Sequence, residues 1–122
     1  MQQTLYSCVL LISRSIFDHK GNHIMAIDIS QISSTTDCLL LANGHVGRHV
    51  SAIAHKVQKK MRERGIRPAH VEGLQHGEWV VLDYSFLIVH LFTPEMRQRY
   101  QLERVWHEGC VLDLSLPALT TG

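Results

Sequence analysis

The sequence carries almost no net charge. Twelve Lys and Arg residues oppose eleven Asp and Glu residues, so the formal charge at pH 7 is +1. Proteins that hold nucleic acid chiefly by neutralising phosphates need a larger positive excess. The balance therefore disfavours bulk electrostatic binding of RNA or DNA, and leaves open only a local basic patch.

Patterns typical of disulfide-rich, zinc-binding and membrane proteins are missing as well. Cys8, Cys38 and Cys110 lie far apart with no Cys-x-x-Cys spacing, which favours a reducing, cytoplasmic compartment. The longest apolar runs are 8–12 and 38–42, far short of the about 20 residues that cross a bilayer. The N-terminus has neither the basic flank nor the cleavage site of an export signal. We therefore expect a soluble protein with no membrane contact.

The common catalytic motifs are absent too. The sequence has no nucleophile elbow, no phosphate-binding loop and no dinucleotide fingerprint. Asp28, Asp37 and Asp83 are isolated, whereas metal-dependent phosphoryl transfer usually needs paired carboxylates. His45 and His49 have a spacing that could hold a metal, but no third ligand is evident, so we interpret them as polar residues at a helix start. The sequence predicts no enzyme, no cofactor, no metal site and no small-molecule substrate.

Apolar periodicity predicts two amphipathic helices and two buried strands in the first half of the chain. The strands cover 24–29 and 38–42 and are continuously apolar apart from Asp28, which is typical of a sheet covered on both faces. Gly65 and Pro68 mark the end of the second helix. The first helical stripe comprises Leu5, Cys8, Val9, Ile12 and Ile16, and the second comprises Val46, Val50, Ile53, Ala54, Val57 and Met61.

The second half predicts a strand meander over 69–74, 78–84 and 86–92. Together with the first half, this gives a mixed α/β fold in which helices pack on a sheet of about five strands. The long helix between the second and third strands implies a parallel crossover connection. The length, with 45% apolar residues, is that of one domain, for which we predict the bounds 1–106 followed by a C-terminal tail, 107–122.

A short helix is predicted after the meander. Thr93, Pro94 and Glu95 supply a hydroxyl cap, a proline at the first helical position and an acid in the first turn. Its apolar face changes near Gln101, where we expect the chain either to bend or to leave the helix. Residues 109–122 offer few signals and are expected to form a loosely attached tail.

The predicted hairpin carries the most informative pattern. Alternation places Trp79, Val81 and Asp83 on one face of their strand, and Val80, Leu82 and Tyr84 on the other. If the hairpin register brings Ile88, His90 and Phe92 to the side of Trp79, that face mixes aromatic, aliphatic and charged groups as binding hot spots do. The alternative is plain core packing with an Asp83–His90 hydrogen bond, and spacing alone leaves both open.

The ordered set of motifs resembles the ribosomal silencing factor family, also called the Iojap family. The resemblance covers roughly residues 5–106 and implies a nucleotidyltransferase-like fold that has lost the transferase chemistry. The motifs that carry it are Ile27-Asp28-Ile29, Arg48-His49-Val50, Gly65-Ile66-Arg67-Pro68, Val71-Glu72-Gly73, Trp79-Val80-Val81-Leu82-Asp83-Tyr84, Val89-His90-Leu91-Phe92 and Leu102-Glu103 with Trp106.

The resemblance also implies a partner and a mode of action. Members of the family bind ribosomal protein number fourteen of the large subunit and sterically block joining of the small subunit when nutrients are scarce; some form homodimers. By position, the residues that form or brace the docking surface are Glu72, Trp79, Leu82, Asp83, Tyr84, His90, Phe92, Arg97, Tyr100 and Trp106.

Two alternatives from other classes stay open at this point. One is a metal-dependent nucleotidyltransferase-type enzyme that uses Asp28, Asp37 or Asp83. The other is a small RNA-binding ribosome-assembly module that uses the basic run at 56–64, although solvated helix faces are commonly basic.

Overall fold

One mixed sheet with helices on both faces accounts for residues 3–117, the part of the chain that the computed structural model describes. The elements in chain order are α1 (Gln3–Asp18), β1 (Asn22–Asp28), β2 (Cys38–Asn43), α2 (Gly47–Glu63), β3 (His70–Glu72), β4 (Trp79–Asp83), β5 (Leu87–Phe92), α3 (Pro94–Tyr100), α4 (Leu102–Val105) and β6 (Cys110–Val111).

The six strands are arranged in the order β3-β4-β5-β2-β1-β6. The central pair, β2 and β5, is parallel, and the other neighbouring pairs are antiparallel. The mixed α/β fold and the parallel connection predicted from the sequence are thus confirmed.

Helices α1 and α2 cover one face of the sheet. Their apolar stripes contact each other and the side chains of the central strands, because residues three and four apart share a helix face. Gly65 ends α2 in the left-handed conformation (φ +76°), as predicted, while the Ile66 amide donates to the Met61 carbonyl at 2.9 Å. Within residues 3–117, no helix is long and apolar enough to cross a bilayer.

Two short helices follow the hairpin. Pro94 occupies the start of α3, as predicted, but the Thr93 hydroxyl makes no capping hydrogen bond, which corrects the expected hydroxyl cap. Gln101 adopts the left-handed conformation (φ 46°) and separates α3 from α4. The change expected near Gln101 is therefore confirmed as a break between two short helices.

The segment after α4 corrects the predicted strand count. Val111 and Cys110 pair with Ile27 and Asp28, so β6 adds a sixth strand where about five were expected. Leu112 and Leu114 then pack against the main core. Residues 109–117 are thus attached to the sheet and do not form a loose tail, because two ladder pairs and two leucines anchor them. The division into a 1–106 domain and a 107–122 tail stays a prediction, and residues 118–122 lie outside the described part of the chain.

Candidate docking surface

The hairpin register brings the mixed side chains together on the face opposite α1 and α2. Trp79 pairs with Phe92, Val81 with His90, and Asp83 with Ile88. Paired residues in an antiparallel ladder point to the same side of the sheet. The register in which His90 and Phe92 join Trp79 is therefore the one that forms, as the hot-spot interpretation required.

Helices α3 and α4 cover only part of this face. They lie over a second apolar cluster in which Ile27, Leu41 and Phe92 are fully buried. The end formed by β3, β4 and β5 stays uncovered. We call this part the open face; its members are His70 and Glu72, which are exposed, and Trp79, Val81, Asp83, Ile88 and His90, which are half-buried.

An aromatic cluster connects the open face with α3. The Trp79 ring centroid lies 4.7 Å from that of Tyr100, 5.2 Å from that of Phe92 and 5.9 Å from that of His90. Exposure rises across the cluster, from 0% for Phe92 to 44% for Tyr100. The cluster thus combines a buried base that fixes the rings with an aromatic edge that a partner can reach.

His90 is bonded to Trp79 and not to Asp83. The indole N–H donates to His90 Nδ1 at 3.1 Å. Burial lowers the pKa of His90 to about 4, and the nearby Asp83 charge opposes this shift only in part. The Asp83–His90 hydrogen bond of the core-packing alternative does not form, because Asp83 Oδ1 instead accepts the backbone N–H of Ser85 at 2.8 Å in the hairpin turn.

The side chain of Arg97 links the short helices to the sheet. Its guanidinium is buried and donates to Glu103 Oε2 at 2.9 Å, to Asn43 Oδ1 at 2.8 Å and to the His23 carbonyl at 2.9 Å. These bonds tie α3 to α4 and to the ends of β1 and β2. The side chain therefore holds the short helices in place and does not offer its charge to a partner.

Two of the ten residues expected at the surface lie on the other side of the sheet. Leu82 and Tyr84 point toward α1 and α2, where both are buried in the main core. Burial also raises the pKa of Tyr84 to about 12. Because strand neighbours alternate between faces, a contiguous motif such as 79–84 places only every second residue on one surface. These two residues are packed in the main core, on the side of the sheet that α1 and α2 cover.

The other eight fall into two groups. Five face solvent on or beside the open face: Glu72, Trp79, Asp83, His90 and Tyr100. Three support it from beneath or beside, being buried or half-buried in the second cluster or its polar brace: Phe92, Arg97 and Trp106.

Sequence reasoning left some members of this region out of the candidate set. Val81 and Ile88 lie on the open face, and their alternation with Leu82 and Val89 could have identified them. Asn43 and His23 were missed as partners of Arg97, because no local pattern connects residues that are 54 and 74 positions away.

The histidine pair at the start of α2 is engaged within the protein. The His45 backbone N–H donates to His49 Nδ1 at 2.9 Å, and His49 Nε2 lies 2.8 Å from the His19 carbonyl. Both nitrogens of His49 are thus occupied. Residues 3–117 contain no group of three or more His, Cys, Asp or Glu side chains that could hold a metal ion.

Two of the three carboxylates considered for catalysis, those of Asp28 and Asp83, are also engaged locally. Asp28 Oδ1 accepts both the backbone N–H and the hydroxyl of Ser30, and the hydroxyl hydrogen bond is the main reason why the pKa of Asp28 lies below its usual value. Asp28 and Asp83 thus each cap a turn beside their own strand.

Comparison with known proteins gives one consistent family. A family model described as "Ribosomal silencing factor during starvation" matches residues 2–120. The chain is 31% identical over 100 residues to the ribosomal silencing factor RsfS of Halalkalibacterium halodurans, with 82% of this chain and 86% of that protein covered. It is 36% identical over 89 residues to the protein of the same name from Chromobacterium violaceum, with 73% of each covered.

Solved structures agree with this result. A crystal structure of a Chromobacterium violaceum protein superposes with a TM-score of 0.80 at 30% identity, covering 100% of this chain and 95% of the other. A Bacillus halodurans crystal structure gives a TM-score of 0.77 at 29% identity, covering 93% and 100%.

Proposed function

Because the chain belongs to the ribosomal silencing factor family, we propose that it binds ribosomal protein number fourteen of the large ribosomal subunit and sterically blocks joining of the small subunit, especially under nutrient limitation. This function needs a cytoplasmic location and no chemical step. The bound factor would act by occupying space that the small subunit needs, so the important property is a surface that binds its partner. The nucleotidyltransferase-like origin implied by the resemblance stays a prediction.

The observation that carries the proposal is the partly exposed aromatic cluster. Large rings that are fixed from beneath and accessible at their edges are typical hot-spot anchors, because they bury much area with little loss of conformational freedom. Here Phe92 fixes Trp79, and Tyr100 extends the ring surface into solvent. A docked partner would cover the exposed part of Tyr100.

Charge near the cluster indicates the chemistry of the partner. Glu72 and Asp83 lie on the same side of the sheet as Trp79, on β3 and β4. The side chains of Arg62 and Lys59, by contrast, project from α2 on the opposite side of the sheet. The open face therefore favours a partner surface with Lys or Arg at its rim, such as a basic ribosomal protein, over a phosphate backbone.

Sedimentation of ribosomal subunits tests the function directly. Purified large and small subunits are mixed at a magnesium concentration that permits joining, with or without the protein. We expect the protein to migrate with the free large subunit and the joined fraction to decrease. The Tyr100→Ala variant should lose both effects, while His55→Ala, which changes an exposed side chain on α2, should retain them. Migration with the small subunit, or unchanged joining despite saturating binding, would contradict the proposal.

A second measurement identifies the contact. Isolated ribosomal protein number fourteen should bind the purified factor, and the same variant should weaken that complex. The nucleotidyltransferase alternative predicts instead that nucleotide and a divalent ion raise the melting temperature, and that Asp28→Asn or Asp83→Asn abolishes the shift. The RNA-binding alternative predicts binding to naked ribosomal RNA that falls steeply with salt.

We further propose that the open face supports homodimers when no partner is bound, since an uncovered mixed apolar patch tends to pair with itself. Analytical ultracentrifugation at several concentrations tests this. Tyr100→Ala should shift the population toward monomer, whereas an unchanged distribution would place the contact elsewhere.

A further inference from the structure

The imidazole of His90 is held in the aromatic cluster by a hydrogen bond from Trp79 and by its stacking beside Phe92. We infer that His90 meets the partner as a neutral ring of a single tautomer, which donates its Nε2–H to a carbonyl oxygen of the partner protein. This inference rests on the docking function proposed above, and adds to it the chemistry of one contact.

The tautomer follows from the hydrogen bond with Trp79. An indole N–H can only donate, so the His90 Nδ1 that lies 3.1 Å from it must accept and cannot carry a proton. A neutral imidazole with an unprotonated Nδ1 carries its single proton on Nε2. Trp79 thereby determines which nitrogen of His90 is the donor.

The ring is also held in position. It is nearly parallel to the Phe92 ring, with an interplanar angle of 13° and a centroid distance of 6.0 Å, and it is tilted by 44° against Trp79. Nε2 makes no hydrogen bond to any of residues 3–117, and it is not among their fully buried polar atoms that lack a partner. The donor is therefore oriented and not fully buried, which reduces the ordering needed on binding.

The surrounding charges fit a neutral donor. Burial opposes protonation of His90, whose pKa falls to about 4, so the ring is uncharged at physiological pH. Asp83 on β4 faces the ring. Glu72 on β3 pairs with Val81, which in turn pairs with His90, so Glu72 lies on the same face two strands away. Tyr100 of α3 lies against the Trp79 ring.

These acids also restrict what the partner can offer. A partner carboxylate placed at His90 would be repelled by Glu72 and Asp83, whereas a backbone or amide carbonyl oxygen carries no net charge. We therefore assign a carbonyl as the acceptor, with partner Lys or Arg side chains nearer the two acids.

Nitrogen-15 NMR of the imidazole in the unmodified protein tests the tautomer. The correlation pattern at pH 7 should identify Nε2 as protonated and Nδ1 as unprotonated, and the Trp79 indole proton should show the shift of a hydrogen-bonded group. A protonated Nδ1, or a charged ring at pH 7, would overturn the inference. This measurement needs no variant and no partner.

Two isosteric variants separate the two nitrogens. In His90→Asn, the amide oxygen replaces Nδ1 as acceptor for Trp79, but no donor remains at the position of Nε2. In His90→Gln, the amide nitrogen reaches the position of Nε2 and restores the donor. We expect the first to weaken binding to ribosomal protein number fourteen at least tenfold, with the indole shift retained, and the second to stay within about threefold of the original protein.

The outcomes distinguish this inference from the docking function. If the unmodified protein binds neither the ribosomal protein nor the large subunit, the proposed function fails, and the contact assigned to His90 fails with it. If the unmodified protein binds and His90→Asn binds equally well, only the His90 contact is refuted. Equal weakening by both variants would indicate a purely structural role, which also contradicts the inference.

Discussion

The rings of Trp79 and Tyr100 lie 4.7 Å apart and connect the hairpin to α3. Trp79 is half-buried on the sheet and hydrogen-bonded to His90, whereas Tyr100 is 44% exposed at the end of a helix. The two side chains therefore belong to one surface but contribute differently to the folded state, and this difference can be measured.

Truncating each ring should separate docking from stability. Tyr100→Ala should weaken binding to the large subunit by about 2 kcal/mol, or roughly thirtyfold, because a hot-spot anchor is lost. Its free energy of unfolding should change by less than about 1 kcal/mol, since the side chain is largely solvated. Trp79→Ala should reduce both quantities. Binding assays and urea denaturation check this with His55→Ala as control; equal affinity of folded Tyr100→Ala and the original protein would exclude Tyr100 as an anchor.

The lowered pKa of His90 predicts that the stability of the protein depends on pH. The pKa of His90 is about 4 in the folded protein and about 6.5 in the unfolded chain. Above pH 6.5 both states are neutral at this position, so its contribution is fully present. As the pH falls from 6.5 to 4, the unfolded state takes up the proton and the folded state does not, which lowers the free energy of unfolding by up to about 3 kcal/mol.

Urea denaturation between pH 7.5 and pH 4.5 measures this effect. Carboxylates also titrate toward the lower limit, so the useful quantity is the difference between the original protein and His90→Asn, which cannot titrate at this site. The original protein should therefore lose stability relative to His90→Asn as the pH falls. A constant difference over the whole range would show that His90 is not held neutral.

Regular periodicity explains what could be predicted from the sequence. The stripes on α1 and α2 and the alternation in β4 and β5 are local patterns with fixed periods, so elements and faces follow from spacing alone. By the same alternation, Leu82 and Tyr84 belong to the core, yet they were carried into the candidate site as part of a contiguous motif. Strand β6 was missed because two residues, Cys110 and Val111, are too few to show a period.

Polar contacts over long separations could not be predicted. Arg97 looks like a surface charge in the sequence, because its partners at 23 and 43 lie on other elements and are brought near only by the fold. The bond between Trp79 and His90 depends likewise on the hairpin register, which the sequence left open between two interpretations.

Replacing Arg97 should therefore affect mainly the free energy of unfolding. Arg97→Ala leaves Glu103, Asn43 and the His23 carbonyl without their donor in a largely buried place. Removing one partner of such a network is expected to lower the free energy of unfolding by about 3 kcal/mol or more. Arg99→Ala, which removes an exposed arginine of the same helix, should change it by less than about 0.5 kcal/mol. Urea denaturation compares the two, and equal stability of both variants would contradict the role of Arg97 as a brace.

The orientation of α2 makes a prediction about ribosomal RNA. Lys59 and Lys60 are exposed on a helix that covers the face of the sheet opposite the aromatic cluster, so a partner gripping the open face does not reach them. Changing both to Glu should leave affinity for the large subunit within about twofold and the slope of affinity against salt nearly unchanged, because no phosphate contact is lost. Glu72→Lys on the open face, by contrast, should weaken binding, because it opposes a basic partner. Binding titrations at several salt concentrations test both variants. A large loss of affinity in the variant with both lysines changed to Glu, together with a shallower dependence of affinity on salt, would mean that α2 contacts RNA and that docking involves both sides of the sheet.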